Sequence, residues 1–335
     1  MVAAAALLAG CAGNAGSGGS GGTSGASGDD LKIGYAGFAL DTAFLSTLAS
    51  EVEAAGEEAG ATVTVTTADA DPAKQANDIN TLVTGGAQGI LVDPVNADAV
   101  VPAINKAAQA GAKVVVIDGT ASDAEGISIQ VATDNYGAGA EGCAIVGDLL
   151  DGEATVLNLQ GGLDNQAAQG RTNGFEECMA ENYPDITVIS KSYNWDAAEC
   201  AQIVQTQFSS TQIDGVFAAS AQCLGPVEST LEAQGRLVPS GQEGHIPFAI
   251  VDGTPEELEA VRSGTLTASI VQPLGEMASA GVYWLERAIA GESIEEGPTD
   301  HGTEVVESGG TLRDLLDPIV VTSENVDDPA LWGNQ

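Results

Sequence analysis

The chain has 335 residues, of which 44% are hydrophobic and 4% aromatic. That length supplies two domains of ordinary size, each with its own apolar core. Forty-eight Asp and Glu against 10 Lys and Arg leave a formal charge of −38, and such a surface repels nucleic-acid phosphates and anionic headgroups, which excludes nucleic acid as a partner.

Residues 2–8 form a short apolar run that ends in Leu8-Ala9-Gly10-Cys11, and no segment reaches the ~18 apolar residues of a membrane-spanning helix. Leu8-Ala9-Gly10-Cys11 resembles the lipobox of bacterial lipoproteins. The resemblance implies cleavage before Cys11 and a lipid on that cysteine, so the membrane is met through an anchor only, although no Lys or Arg precedes the run. From 12 to 29 the chain is mostly Gly, Ser, Ala, Thr and Asn, a flexible tether.

The first strand is predicted over Leu31–Ala36. Asp41 then opens a helix whose apolar residues Phe44, Leu45, Leu48, Val52 and Ala55 form one stripe. Ala61–Thr67 reads as a strand, Pro72 as the start of a helix, Gly89–Val92 as a strand and Asp98–Ala110 as a helix. Ile127–Ala132 is extended, and Thr133-Asp134-Asn135 caps a helix through Leu150. A second series follows: strand Ala154–Leu159, helix to Asn182, strand Ile186–Lys191, helix Asp196–Ser210, strand Gly215–Ala218, helix to Gly235. Thr254-Pro255-Glu256-Glu257 reads as a capping box, Leu266–Val271 as extended and Glu276–Ala290 as a helix. This alternation implies an α/β protein of two doubly wound parallel-sheet lobes.

One phrase occurs twice, as Val114-Val115-Val116-Ile117-Asp118-Gly119-Thr120 and Phe248-Ala249-Ile250-Val251-Asp252-Gly253-Thr254. Each is a β-branched run stopping on Asp-Gly, the ending of a strand buried on both faces. Ligands of open α/β sheets lie beyond the carboxyl ends of the strands, so Asp118 and Asp252 should face one another across a cleft.

The cysteines at 143, 178, 200 and 223 are an even number in a chain that reads as exported, and four cysteines allow three pairings. Cys200 and Cys223 fall about one turn into successive helices, which favours that bridge and leaves Cys143 with Cys178.

Gly137-Ala138-Gly139-Ala140-Glu141-Gly142 matches G-x-G-x-x-G at the start of a helix. The strand that follows ends Asn158-Leu159-Gln160, without the acid that a ribose requires, so the glycines read as helix packing and an NAD-linked oxidoreductase is the weaker alternative. The G-x-S-x-G string Gly18-Gly19-Ser20-Gly21-Gly22 lies in the Gly/Ser tether and is no nucleophile elbow, and the two histidines, His245 and His301, have no ligand neighbour at metal spacing. The expectation is a protein that is not an enzyme and carries no cofactor or metal.

A polyhydroxylated ligand wants carboxylates, a planar cation, amides and flat aromatic walls. Phe44, Asp118, Arg171, Trp195, Asp252 and Gln272 fall at predicted strand ends or first helical turns. Together with Ile33-Gly34, Leu40-Asp41-Thr42-Ala43-Phe44-Leu45, Asp71-Pro72-Ala73-Lys74-Gln75, Thr133-Asp134-Asn135, Arg171 to Phe175, Phe217, Val251-Asp252-Gly253-Thr254-Pro255 and Ile270-Val271-Gln272, they resemble the type I periplasmic sugar-binding proteins of ABC importers, the ribose- and galactose-binding group, across residues 31–325.

The resemblance implies a tethered monomer outside the cytoplasm, on the outer face of the cell membrane, that delivers a monosaccharide-like sugar or polyol to an ABC permease. A receptor-linked sensor is the alternative. Phe44 and Trp195 would be aromatic walls, Asp118 and Asp252 acceptors, Arg171 a donor and Gln272 a hinge residue. Thr42, Gly119 and Ser220-Ala221 stand where the ribose binder has an asparagine, a second arginine, and where many members have Asn-Asp. The same resemblance assigns residues 1–11 to the signal, 30–133 with 273–300 to an N-terminal lobe, 134–272 with 301–325 to a C-terminal lobe and 326–335 to a tail. The chain would cross near Ala132, Val271 and Gly302.

Overall fold

The structure, a computed structural model, describes residues 31–150 and 152–335. The lipobox with Cys11 and the tether over 12–29 lie outside the described residues.

The first lobe begins with β1 (Leu31–Gly37), α1 (Ala43–Glu58), β2 (Ala61–Thr67), α2 (Pro72–Thr84), β3 (Gly89–Val92), α3 (Val101–Gln109), β4 (Lys113–Ile117) and β5 (Ile127–Thr133). Thr42, rather than Asp41, caps α1: its hydroxyl accepts from Leu45 N at 3.2 Å. Asp71 caps α2 with Pro72 in the first turn, where a missing N–H costs nothing. Apolar residues at three- and four-residue spacing put Leu48 and Val52 into the core with no exposure.

The second lobe holds α4 (Asn135–Gly147), β6 (Ala154–Gln160), α5 (Gln166–Asn182), β7 (Ile186–Ser192), α6 (Ala197–Ser210), β8 (Gly215–Ala218), α7 (Leu224–Ala233), β9 (Phe248–Asp252), α8 (Pro255–Ser263) and β10 (Ala268–Val271). The chain then returns to the first lobe as α9 (Leu274–Ala290), which packs on α1 and on β3, β4 and β5.

Beyond α9 the structure corrects the predicted boundary. β11 (Gly297–Pro298), β12 (Glu304–Ser308) and β13 (Thr311–Leu316) extend the first sheet, whose order is β11-β12-β13-β5-β4-β3-β1-β2, and β13 runs parallel to β5. Residues 304–316 thus pair in the first lobe, not the second. The third crossing lies between Leu316 and Ile319, not at Gly302. The physical reason is a hairpin: Gly309 and Gly310 both take positive φ, 65° and 84°, and let β12 turn back as β13 before the chain leaves the lobe.

Only β14 (Ile319–Val321) joins the second sheet, β14-β10-β9-β8-β6-β7, where it lies antiparallel to β10. Residues 326–335, predicted as a separate tail, are folded onto α8. Leu331 and Trp332 are 3% and 6% exposed, and Arg262 Nε donates to Asp327 Oδ1 at 2.8 Å.

Two disulfides join Cys143 of α4 to Cys178 of α5 and Cys200 of α6 to Cys223, which lies in the 3-10 turn Ala221–Cys223 after β8. They close loops of 35 and 23 residues. Replacing either pair by alanine is expected to lower the unfolding free energy by about 3–4 kcal/mol through the unconstrained unfolded chain. Urea denaturation of oxidised wild type and each double variant measures this, and coincident curves would show that the bridges add no stability.

Candidate ligand cleft

Three chain crossings form the floor between the lobes. Asp134 N donates to Leu316 O at 2.7 Å, which ties the first crossing to the third. Thr133 Oγ1 donates to Gln272 Oε1 at 3.1 Å, which ties the first to the second. Above them lies a cleft of about 610 Å³, and all eight predicted ligand residues, Thr42, Phe44, Asp118, Arg171, Trp195, Ser220, Asp252 and Gln272, line it.

Backbone strain marks the same place. Asp118 has φ 61°, Trp195 φ 63° and Asp252 φ 148°, all in the region that favours glycine. A bulky tryptophan there is a conformational outlier that persists only where its surroundings hold it. Trp195 is held by packing on the loop after β6: a Cβ on Gly161 would stand 2.2 Å from its Cη2. Asp118 and Asp252 leave the extended conformation at the ends of their strands, which turns each carboxylate toward the cleft edge.

Asp252 is the hub on the second lobe. Its Oδ1 accepts from Gln272 Nε2 at 2.8 Å, and its Oδ2 accepts from Ser220 Oγ at 2.6 Å and Ala221 N at 2.9 Å. Three of about four acceptor sites are thereby filled. Arg171, 4% exposed, pairs its Nη1 with Asp252 Oδ1 at 3.8 Å, donates from Nη1 to Ala219 O at 2.6 Å and from Nε to Asn135 Oδ1 at 2.7 Å. Asn135 Nδ2 donates to Thr133 O, so the guanidinium is fixed to the first crossing as well.

The predicted capping box is half formed. Thr254 Oγ1 accepts from Glu257 N, but the Glu257 carboxyl accepts from Gly253 N at 2.8 Å and Ser269 Oγ at 2.5 Å instead of reaching the cap's own N–H. Glu257 is fully buried, and burial followed by the charge of Asp252 raises its carboxyl well above the ordinary range. Its place is behind the Asp252-Gly253 turn, which it braces.

On the first lobe, burial pushes Asp118 up to about 6, with Arg171 opposing and Asp252 reinforcing the shift. Beside it stands Asp93, which the sequence reading missed and which also lines the cleft. A signal was present: Gly89-Ile90-Leu91-Val92-Asp93 is a third apolar strand ending on aspartate, disguised because proline rather than glycine follows. Phe38, Asn165 and Gln222 also line the cleft unforeseen.

The predicted G-x-G-x-x-G is a packing device. A Cβ on Gly139 would stand 2.1 Å from Arg171 O, and one on Gly142 2.3 Å from Phe217, so these glycines admit α5 and β8 against α4. Among the described residues no group of three His, Cys, Asp or Glu side chains is placed to hold a metal ion.

Residues 33–293 match the family described as periplasmic binding protein domain. The xylitol-binding protein of Mycolicibacterium smegmatis is 29% identical over 232 residues, 68% of this chain and 64% of that protein, so the chain spans just under two thirds of this relative. The ribose import binding protein of Escherichia coli is 27% identical over 262 residues, 76% of this chain and 84% of that protein. The arabinose-transporter binding protein of Shewanella sp. ANA-3, bound to L-arabinofuranose, superposes with a TM-score of 0.77 at 17% identity, covering 91% of this chain and 96% of that one. A solute-binding protein from Bacillus halodurans with bound myo-inositol gives 0.75 at 21%, covering 91% and 99%. These relatives are solute-binding proteins rather than enzymes. With two parallel-sheet lobes joined at three crossings, the chain belongs to the periplasmic binding protein family, in its type I sugar-binding group.

Proposed function

We propose that this protein captures a monosaccharide-like sugar or polyol between its lobes outside the cytoplasm and delivers it to an ABC permease, held at the membrane by a lipid on Cys11. The observation that carries the reading is the convergence of strained Asp118, Trp195 and Asp252 with the buried Arg171 around one cleft. Such a set offers acceptors and a donor to hydroxyls and flat faces to C–H surfaces. Phe44 belongs to the first lobe and Arg171 and Trp195 to the second, so a ligand touching all three favours the closed arrangement by its differential affinity for it. The relatives that bind xylitol and import ribose support a polyol or sugar of about this size.

A thermal-shift screen of the purified chain against pentoses, hexoses, polyols and their derivatives, with NAD and NADP alongside, tests this. One of the sugars or polyols is expected to raise the midpoint by mass action. Silence from all of them together with a shift from NAD would overturn the proposal.

A further inference from the structure

The first-lobe wall of the cleft has an unusual balance of polar groups. Its lining includes Asp41, Asp93 and Asp118 but no lysine, arginine, histidine, asparagine or glutamine. Arg171, from the other lobe, is the one basic side chain among the described cleft residues, and its Nε and Nη1 are engaged by Asn135, Ala219 O and Asp252, which leaves Nη2 as its donor toward a ligand. The wall therefore presents acceptors and negative charge, and the ligand must bring the donors.

Asp93 is the most exacting of these acceptors. It is 2% exposed; the backbone N–H groups of Gly119 and Phe38 act on its carboxyl, and its Oδ2 is buried with no hydrogen-bond partner. Its position is built rather than incidental: the buried Gln75 donates from Nε2 to Asp93 O at 2.6 Å and to Ala36 O at 3.2 Å, and accepts from Val95 N at 2.9 Å. Gly119 leaves the other oxygen free of a neighbouring side chain, since a Cβ there would stand 3.1 Å from Asp93 Oδ1. A buried acceptor without a partner costs free energy until something donates to it.

We propose that the cleft takes an amino-substituted sugar or cyclitol, its ammonium seated against Asp93 and Asp118, and that Asp93 is the residue that selects it. The inference rests on the sugar-binding reading above. An ammonium brings three donors and the missing positive charge to one point, whereas a hydroxyl brings one donor and none. The aromatic rings of Phe38, Phe44 and Trp195 cover the apolar faces of such a ring and attract a cation near them. A metal ion is the poorer occupant, because no three carboxylates converge on one point among the described residues. Burial raises the Asp93 carboxyl, with the Asp118 charge adding to the rise, and an ammonium between the two would favour their charged forms.

Calorimetry on the full chain at pH 7.5 with matched pairs decides the point: D-glucose against D-glucosamine, D-galactose against D-galactosamine, and myo-inositol against scyllo-inosamine. At least one amine is expected to bind ten-fold or more tightly than its hydroxyl counterpart, with proton release seen by titrating in two buffers of different ionisation enthalpy near pH 6. Asp93→Asn is expected to bring that ratio close to one. Hydroxyl ligands binding as tightly as their amines would sink this inference and leave the sugar-binding reading standing. An unchanged ratio in Asp93→Asn would remove Asp93 as the selecting residue. Silence from both series in the wild type would overturn the sugar-binding reading and this inference with it.

Discussion

Arg171→Ala is expected to weaken ligand binding by about 100-fold and to lower the unfolding free energy by about 3–5 kcal/mol, because it removes a buried cation from a partner that stays behind. The partner is Asp252, 5% exposed and 3.8 Å from Nη1. Ala219 O and Asn135 Oδ1 lose their donors in the same substitution. An arginine read only as a ligand donor at a helix start would predict lost binding with an intact fold, and its burial is what adds the stability loss. Arg171→Lys restores the charge but not the fork that reaches Asn135 and Ala219 together, so it should recover part of the stability and little of the affinity. Urea denaturation and calorimetry with the ligand found by screening measure the two effects separately. Wild-type stability in Arg171→Ala would show that the Asp252 pair contributes nothing to the fold.

The empty protein is expected to lose on the order of 2 kcal/mol from Asp118 alone as the pH rises from about 4 to about 6. In the unfolded chain this carboxyl releases its proton near the ordinary 3.8, and in the folded chain at about 6. Between those values the folded state holds the extra proton. The stabilising contribution is therefore complete below 3.8 and is lost as the pH passes through 6. The groups that act on Asp118 come from both lobes: Arg171 opposes the rise and Asp252 reinforces it, after the dominant cost of burial, while Asp93 shares the wall and is itself raised. Asp118 is only partly buried at the cleft edge, and cleft water reduces the effect to the figure given. Asp118→Asn should match wild type at pH 4, exceed it by about 2 kcal/mol at pH 7 and bind ligand poorly, the pattern of a site that trades stability for function. Parallel pH profiles for wild type and variant would show that this carboxyl pays no such penalty.

The course of the chain from Leu31 to Ala290 is legible in the sequence because its signals are local. Val114-Val115-Val116-Ile117 and Phe248-Ala249-Ile250-Val251 read as buried strands from their β-branched content and Asp-Gly stops, and Asp71-Pro72 and Thr254-Pro255 read as helix starts from the cap and the helical pattern that follows. The same locality made Asp118 and Asp252 visible as carboxylates at binding edges. The chemistry of a polyhydroxylated ligand picked out Phe44, Arg171, Trp195 and Gln272, and the resemblance to a family, carried by the order of many short segments, brought in Thr42 and Ser220; the structure gathers them at one cleft.

Tertiary structure decided what depends on partners far apart in the chain. The pairing of β13 with β5 joins residues nearly 200 positions apart and places 304–316 in the first lobe, a choice set by sheet register and a Gly-Gly turn rather than by composition. The burial of Trp332, whose ring meets Phe44 of the other lobe edge-on at 6.3 Å and whose Nε1 donates to Asp252 O at 3.3 Å, turned an apparent tail into part of the site's frame. Asp93 ends its strand in the sequence like any other acid. It becomes a carboxyl with one unpartnered oxygen beside Asp118 only when β3 and β4 lie parallel and end at the same edge, because the pairing of strands, and not the order of residues, determines which charges share a wall.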